Sequence, residues 1–177
     1  MIRRTPLSWA AENGHEAVVK LLLARNDVDI NSEDLLRKTP LSLATGNGHE
    51  AVVKLLLARD DVDVNWKVLL RTPLSWAAEN GHEAVVKLLL ARDDVDVNSK
   101  DVFLHTPLSR AAENGHEAVV KLLLARNDVD VNSEDLHRRT PLPLAAENGH
   151  ETVVKLLLAR DDVDVNVEDT SGRSPLS

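Results

Sequence analysis

The chain has 177 residues, a net charge of −8, no cysteine, and a content that is 43% hydrophobic but only 2% aromatic. Such a length and composition support one folded domain around an aliphatic core of Leu, Val and Ala, and exclude a disordered chain, a disulfide framework, a thiolate nucleophile and a Cys-zinc site. The acidic balance argues against a nucleic-acid surface, where clustered cations are needed, and neither a membrane-spanning apolar run nor a signal-peptide core is present, so a soluble, intracellular, cytoplasmic protein is expected.

The first element opens at Thr5-Pro6-Leu7. The same triplet returns at Thr39, Thr72, Thr106 and Thr140, at intervals of 34, 33, 34 and 34 residues, and a degenerate Ser174-Pro175-Leu176 follows. A fixed period of this size marks a repeat architecture. It predicts five helical units starting near residues 5, 39, 72, 106 and 140, and the stub of a sixth at 170–177, read as one domain over 1–177.

Within a unit the elements follow from local chemistry. Thr72 is a good N-cap and Pro73 suits the first helical position, where its missing N–H costs nothing. A short helix "PLSWAAE" follows, and Asn80-Gly81 ends it, with Gly supplying a left-handed C-cap. The second helix is "HEAVVKLLLAR", His82 to Arg92. Glu83 and Lys87 are its polar pair, spaced i,i+4 in the favourable order. The rest is apolar over most of the circumference, so neighbouring units must cover it. "DDVDVN" then leads through an extended, turn-rich connection to the next Thr-Pro-Leu.

"TPLSWAAENGHEAVVKLLLARDDVDVN" resembles the ankyrin repeat, and all five units match. The tetratricopeptide repeat has a similar length but lacks Thr-Pro-Leu and usually carries Tyr, which is absent here. The resemblance implies an all-α repeat solenoid: stacked antiparallel helix pairs with β-hairpin-like loops projecting at right angles to form a concave face. The spacing and a Ser variant are similar to ankyrin arrays at the C-terminal end of large fungal proteins, some of which carry a NACHT-type nucleotide-binding module. Three features depart from the family. Ser8, Ser42, Ser75, Ser109 and Pro143 replace the usual His after Thr-Pro-Leu, and Pro143 cannot donate an N–H to the Thr140 cap. The loop after "LLL" is one residue longer and lacks Gly, so Asn or Asp would have to take any left-handed position there. The turn Gly, two residues before Thr, is replaced by Arg37, Leu70, Leu104 and Arg138, and is kept only as Gly172.

Asp61, Asp63 and Asn65 have D-x-D-x-N spacing, but a calcium loop then needs Gly and a later Glu, and Trp66 and Thr72 stand there. Turn residues accepting local hydrogen bonds are the better reading. His15, His49, His82, His116 and His150 recur once per unit, which suits a helix-start residue tying units together and is too sparse for shared zinc. No unique cluster suggests catalysis, so no enzyme activity, cofactor or metal is expected. Asp29, Asp63, Asp96, Asp130 and Asp164 form a ladder, read as a solvated edge or as an attraction for a basic partner. Trp9, Leu43, Trp76, Arg110 and Leu144 share one place, four after the Thr. Semi-buried packing and a partner-facing anchor are both open there.

One window varies while the helices repeat. The family's fingertips map onto Leu35 and Leu36, Val68 and Leu69, Val102 and Phe103, and Leu136 and His137, then Thr170 and Ser171. With Leu70, Leu104, His105 and Arg110 they form the expected partner-binding set. Helices must stack and so stay alike; outward tips need not. Side-by-side packing of the tips, or plain sequence drift, would also account for the window. The expected function is a non-enzymatic scaffold that binds a partner protein with a basic or apolar surface through the concave hairpin and inner-helix face. The alternative is the sensing or regulatory tail of a larger NACHT-type signalling protein. Because solenoids need polar terminal caps and both terminal helix pairs are apolar, a fragment or a partner-dependent module that self-associates through its ends is expected.

Overall fold

The structure, a computed structural model, describes residues 4–167 and 170. The stub triplet Ser174-Pro175-Leu176, Gly172 and Ser171 lie outside the described residues.

Ten helices are present among them, two per unit: α1 Pro6–Glu12, α2 Glu16–Leu23, α3 Pro40–Gly46, α4 Glu50–Leu57, α5 Pro73–Glu79, α6 Glu83–Leu90, α7 Pro107–Glu113, α8 Glu117–Leu124, α9 Pro141–Glu147 and α10 Glu151–Leu158. The caps explain the boundaries. Thr5, Thr39, Thr72 and Thr106 each accept the N–H of the Ser three residues on, at 3.1–3.3 Å. Thr140 makes no such bond because Pro143 has no N–H, and its buried hydroxyl is left without a partner. The glycines after each first helix take φ values near +70°. At Gly14, Gly48, Gly81 and Gly115 an added Cβ would also strike the imidazole of the next unit, at 2.5–2.7 Å.

First helices pack on first helices (α1 on α3, α3 on α5, α5 on α7, α7 on α9), and second helices do likewise from α2 to α10. This is a solenoid of stacked helix pairs. Leu41, Ala44, Val52, Val53 and Leu56 of the second unit are buried, as are their counterparts in the third and fourth. Burying each such Leu or Val contributes about 1.5–3 kcal/mol. The "DVDV" segment is extended, so its side chains alternate. Val62 and Val64 join the core while Asp61 and Asp63 face solvent.

Repeating polar contacts lock the units in order. His49, His82, His116 and His150 hydrogen-bond through Nε2 to a carbonyl at the end of the preceding unit's first helix, at 2.8–3.1 Å. Asn65 donates to the Asp94 carbonyl at 2.6 Å and accepts the Asp96 N–H at 2.9 Å, a pattern that recurs from Asn31 to Asn132. Arg92 reaches the Leu57 carbonyl at the end of α4, where a cation also suits the helix dipole. Among the described residues no Asn or Asp has a positive φ, so the longer loop after "LLL" needs no left-handed position. The expected Glu83–Lys87 pair is not formed; its counterpart in α10, Glu151–Lys155, closes at 2.5 Å. At the two ends Val18 and Leu21 of α2 and Leu158 of α10 are exposed, while their counterparts in the second unit, Val52, Leu55 and Leu57, are buried or partly covered.

Candidate functional site

The connections between units end in tight turns, and three share one design. Asp34 pairs its backbone with Lys38, its N–H donating to the Lys38 carbonyl at 3.0 Å, and its own carbonyl accepts the Arg37 N–H at 2.9 Å. Its carboxylate accepts the N–H groups of Leu36 and Lys38 at 2.8 and 2.9 Å. Asp101 does the same for Phe103 and His105, and Asp135 for His137 and Arg139. The last loop residue is left-handed in each: Arg37 (φ 61°), Leu104 (φ 65°) and Arg138 (φ 63°). Gly normally takes this place, and each substitute costs about 1–2 kcal/mol. The buried Asp offsets part of that cost by satisfying N–H groups the loop leaves unpaired. Sequence reasoning passed over Asp34, Asp101 and Asp135. Their signal was an Asp five residues before the cap Thr in three of the units.

The remaining tip is one residue shorter, as the 33-residue interval requires. Val68 takes the place of Asp, and its N–H and C=O pair with those of Arg71 at 2.9 and 3.0 Å. Leu69 (φ 52°) and Leu70 (φ 62°) are then both left-handed, the geometry of a two-residue hairpin turn that usually takes Asn-Gly.

These backbones decide which side chains face out. Leu35, Leu36, Leu69, Leu70, Val102, Phe103, Leu104 and Leu136 are exposed, Leu69 at 74% and Phe103 at 55%, and His137 is exposed beside them. Neighbouring tips touch: the Leu136 N–H donates to the Phe103 carbonyl at 3.2 Å and the Thr170 N–H to the His137 carbonyl at 3.1 Å. Trp66 joins the row by donating its indole N–H to the Arg37 carbonyl at 2.9 Å.

Two residues of the expected set face inward instead. Val68 is only 2% exposed, because shortening the loop draws it into the position held elsewhere by the buried Asp. His105 is 7% exposed and lies between two carboxylates, its Nδ1 3.7 Å from Asp101 and its Nε2 3.5 Å from Asp135. Arg110 is half-buried and paired with Asp101 at 3.0 Å and Glu113 at 3.2 Å.

Beneath the tips runs a row of paired charges. Arg4 holds Glu12 and Asp34, Arg71 holds Glu79, and Arg139 holds Asp135 and Glu147. Arg4 and Arg71 also lie over the rings of Trp9 and Trp76, at 4.7 and 4.0 Å. Burial pushes the Asp101 carboxyl up, but the Arg110 guanidinium and the N–H groups of Phe103 and His105 outweigh it, so the group sits below the usual carboxylate range. Burial, reinforced by the charge of Arg110, lowers the His105 pKa, although Glu113, Asp101 and Asp135 pull the other way.

No group of three or more His, Asp or Glu among the described residues is placed to hold a metal ion. In the D-x-D-x-N segments, an Asp oxygen such as that of Asp63 accepts the N–H two residues on, at 2.9 Å. No helix among them is long and apolar enough to cross a membrane.

No curated protein matches the chain. A family model described as ankyrin repeats, three copies, matches residues 7–101 and again residues 94–169. Ankyrin repeats are generally protein–protein interaction modules and typically not enzymes. The stacked helix pairs, the Thr-Pro-Leu caps and this match agree, and the chain belongs to the ankyrin-repeat family.

Proposed function

We propose that residues 1–177 act as one non-enzymatic scaffold that binds a partner protein across the hairpin tips and the adjoining first-helix face. The supporting observation is the row of exposed apolar side chains at Leu35, Leu36, Leu69, Leu70, Val102, Phe103, Leu104 and Leu136. Exposed apolar clusters on soluble proteins mark interaction surfaces. The tips at Phe103 and Leu136 are tied through their backbones, and their side chains stay exposed to a partner. Phe103, in one of the two central tips, is the strongest anchor, since aromatic residues dominate interface energetics. Paired Arg110 and exposed His137 form part of the rim. A partner with an apolar strip, and basic groups facing the Asp29 to Asp164 ladder, fits this surface. Affinity capture followed by titration tests the proposal. Phe103→Ser should weaken binding strongly, and Glu83→Ala, on the far helical face, should not.

A further inference from the structure

The second unit breaks a pattern that the other four keep. Seven residues after the cap Thr, four units carry a glutamate: Glu12, Glu79, Glu113 and Glu147. Each is paired with a guanidinium, from Arg4, Arg71, Arg110 and Arg139 respectively. The second unit has Gly46 instead. Gly46 is helical with a negative φ, and nothing lies within 4 Å of where its Cβ would be. Neither backbone conformation nor close packing therefore calls for glycine here. The residue before the cap, arginine in units one, three and five, is Lys38, and its ammonium has no ion pair among the described residues. Gly46 and Lys38 line a recess of about 180 Å³ between α1, α3 and α5, walled by Leu43, Trp76, Asn47 and Asn80. Glu12 also lines the recess, and its carboxylate is paired with Arg4.

We infer that this recess is a socket for an Asp or Glu side chain of the bound partner, which takes the place of the missing glutamate and pairs with Lys38. The socket adds a specificity element to the proposed partner surface and rests on that reading. The chemistry is that of units one, three and five, where the cation before the cap holds this glutamate, completed in trans. A half-buried cation without its carboxylate favours an incoming one, because a charge-assisted hydrogen bond there is stronger than the same contact in water. The space left at Gly46 is open where the other units carry a glutamate. An uncharged side chain would leave the ammonium unpaired, so the socket discriminates by charge.

The test is selection from a random peptide library with amidated C-termini, so that only side-chain carboxylates are offered. Selected peptides are then titrated by fluorescence anisotropy against wild type, Lys38→Gln, Gly46→Glu and Phe103→Ser. Binders should carry an acidic residue at a constant offset from an apolar cluster. Lys38→Gln and Gly46→Glu should each weaken binding about tenfold or more. Replacing the peptide's acid by its amide should cost the same against wild type and nothing further against Lys38→Gln. Circular dichroism should show both variants folded, Gly46→Glu merely restoring the residue of the other units. Binders weakened only by Phe103→Ser would overturn the socket and leave the tip surface standing. Acid-dependent binding lost in Lys38→Gln but untouched by Phe103→Ser would support the socket and overturn the tip surface. A library that yields no binder would overturn both.

Discussion

The backbone N–H of Leu136 donates to the carbonyl of Phe103 at 3.2 Å, joining two neighbouring hairpin tips. The bond uses main-chain groups alone, and both side chains remain exposed. Phe103 has an edge-on ring contact with His105, with centroids 6.5 Å apart, and remains more than half exposed. Little folding energy therefore depends on the Phe103 ring.

Phe103→Ser is accordingly expected to change stability by less than about 0.5 kcal/mol, while costing about 2 kcal/mol or more of partner binding. Thermal melting beside titration with a captured partner separates the two. A sharp drop in melting temperature would mean that the ring belongs to the fold.

The left-handed tips store strain that glycine would release. The cost of about 1–2 kcal/mol for a side chain there exceeds the roughly 0.5–1 kcal/mol of chain entropy that glycine adds to the unfolded state. Leu104→Gly and Arg138→Gly should each raise unfolding free energy by roughly 0.5–1 kcal/mol. Urea denaturation measures this. Arg138 loses only an exposed contact to Glu134 at 3.7 Å, which is worth little. Lower stability in both variants would show that the turn relaxes away from positive φ in solution.

Pro143→Ser should restore the missing cap of α9. The Thr140 hydroxyl is buried and unpartnered, whereas Thr106 accepts the Ser109 N–H at 3.2 Å. A regained N-cap contributes about 1 kcal/mol. Amide hydrogen exchange should also slow at the start of α9. Unchanged exchange there would argue that the proline ring already fixes that turn adequately.

His105 makes stability depend on pH. Its pKa in the folded chain is below the ordinary 6.5 because it is buried and faces Arg110. Below about pH 6.5 the unfolded chain therefore binds a proton that the folded chain refuses, and stability falls as pH drops toward the folded value. One such proton amounts to at most about 1.4 kcal/mol per pH unit. His105→Gln should flatten the profile as pH falls below about 6.5. His116, whose pKa is also lowered by burial, is retained in both proteins and cancels. Further down, the lowered pKa values of Asp101 and Asp135 mean that the stability they provide is lost as those carboxylates protonate. Parallel profiles for wild type and His105→Gln below about pH 6.5 would count against a buried ring that resists protonation.

The end faces offer a separate test. Leu21 on α2 is 73% exposed, whereas its counterparts Leu55 and Leu88 are partly covered by the preceding unit. We propose that this 177-residue chain self-associates through such faces. Leu21→Glu should lower its sedimentation-average mass at high concentration with no loss of helix content. Equal masses for both proteins would remove that idea.

The repeat was legible because it is enforced by local chemistry. Thr-Pro-Leu sets a cap, Asn-Gly sets a stop, and "DVDV" alternates, so helix starts and ends at Pro73, Glu79 and Gly81 follow from neighbouring residues alone. The recurring His could be read as a link between units for the same reason: each must do the same task at the same place. The tips were only half legible. The loss of the turn glycine at Arg37, Leu70, Leu104 and Arg138 was visible, and so was the apolar window.

The sequence by itself thus determined the family, the unit boundaries and the varied apolar window, all properties of residues close along the chain. Only the tertiary structure decided which members of that window face outward. Val68 turned inward because a loop one residue shorter makes a two-residue turn of Leu69 and Leu70 and leaves Val68 in the place held elsewhere by the buried Asp. His105 was buried because Asp101 and Asp135, from two successive units, close around it. The recess at Gly46 likewise exists only once Glu12 and Trp76, 64 positions apart, are brought to either side of α3 by stacking. Burial of a side chain is set by what lies across the stack, and no local pattern encodes that.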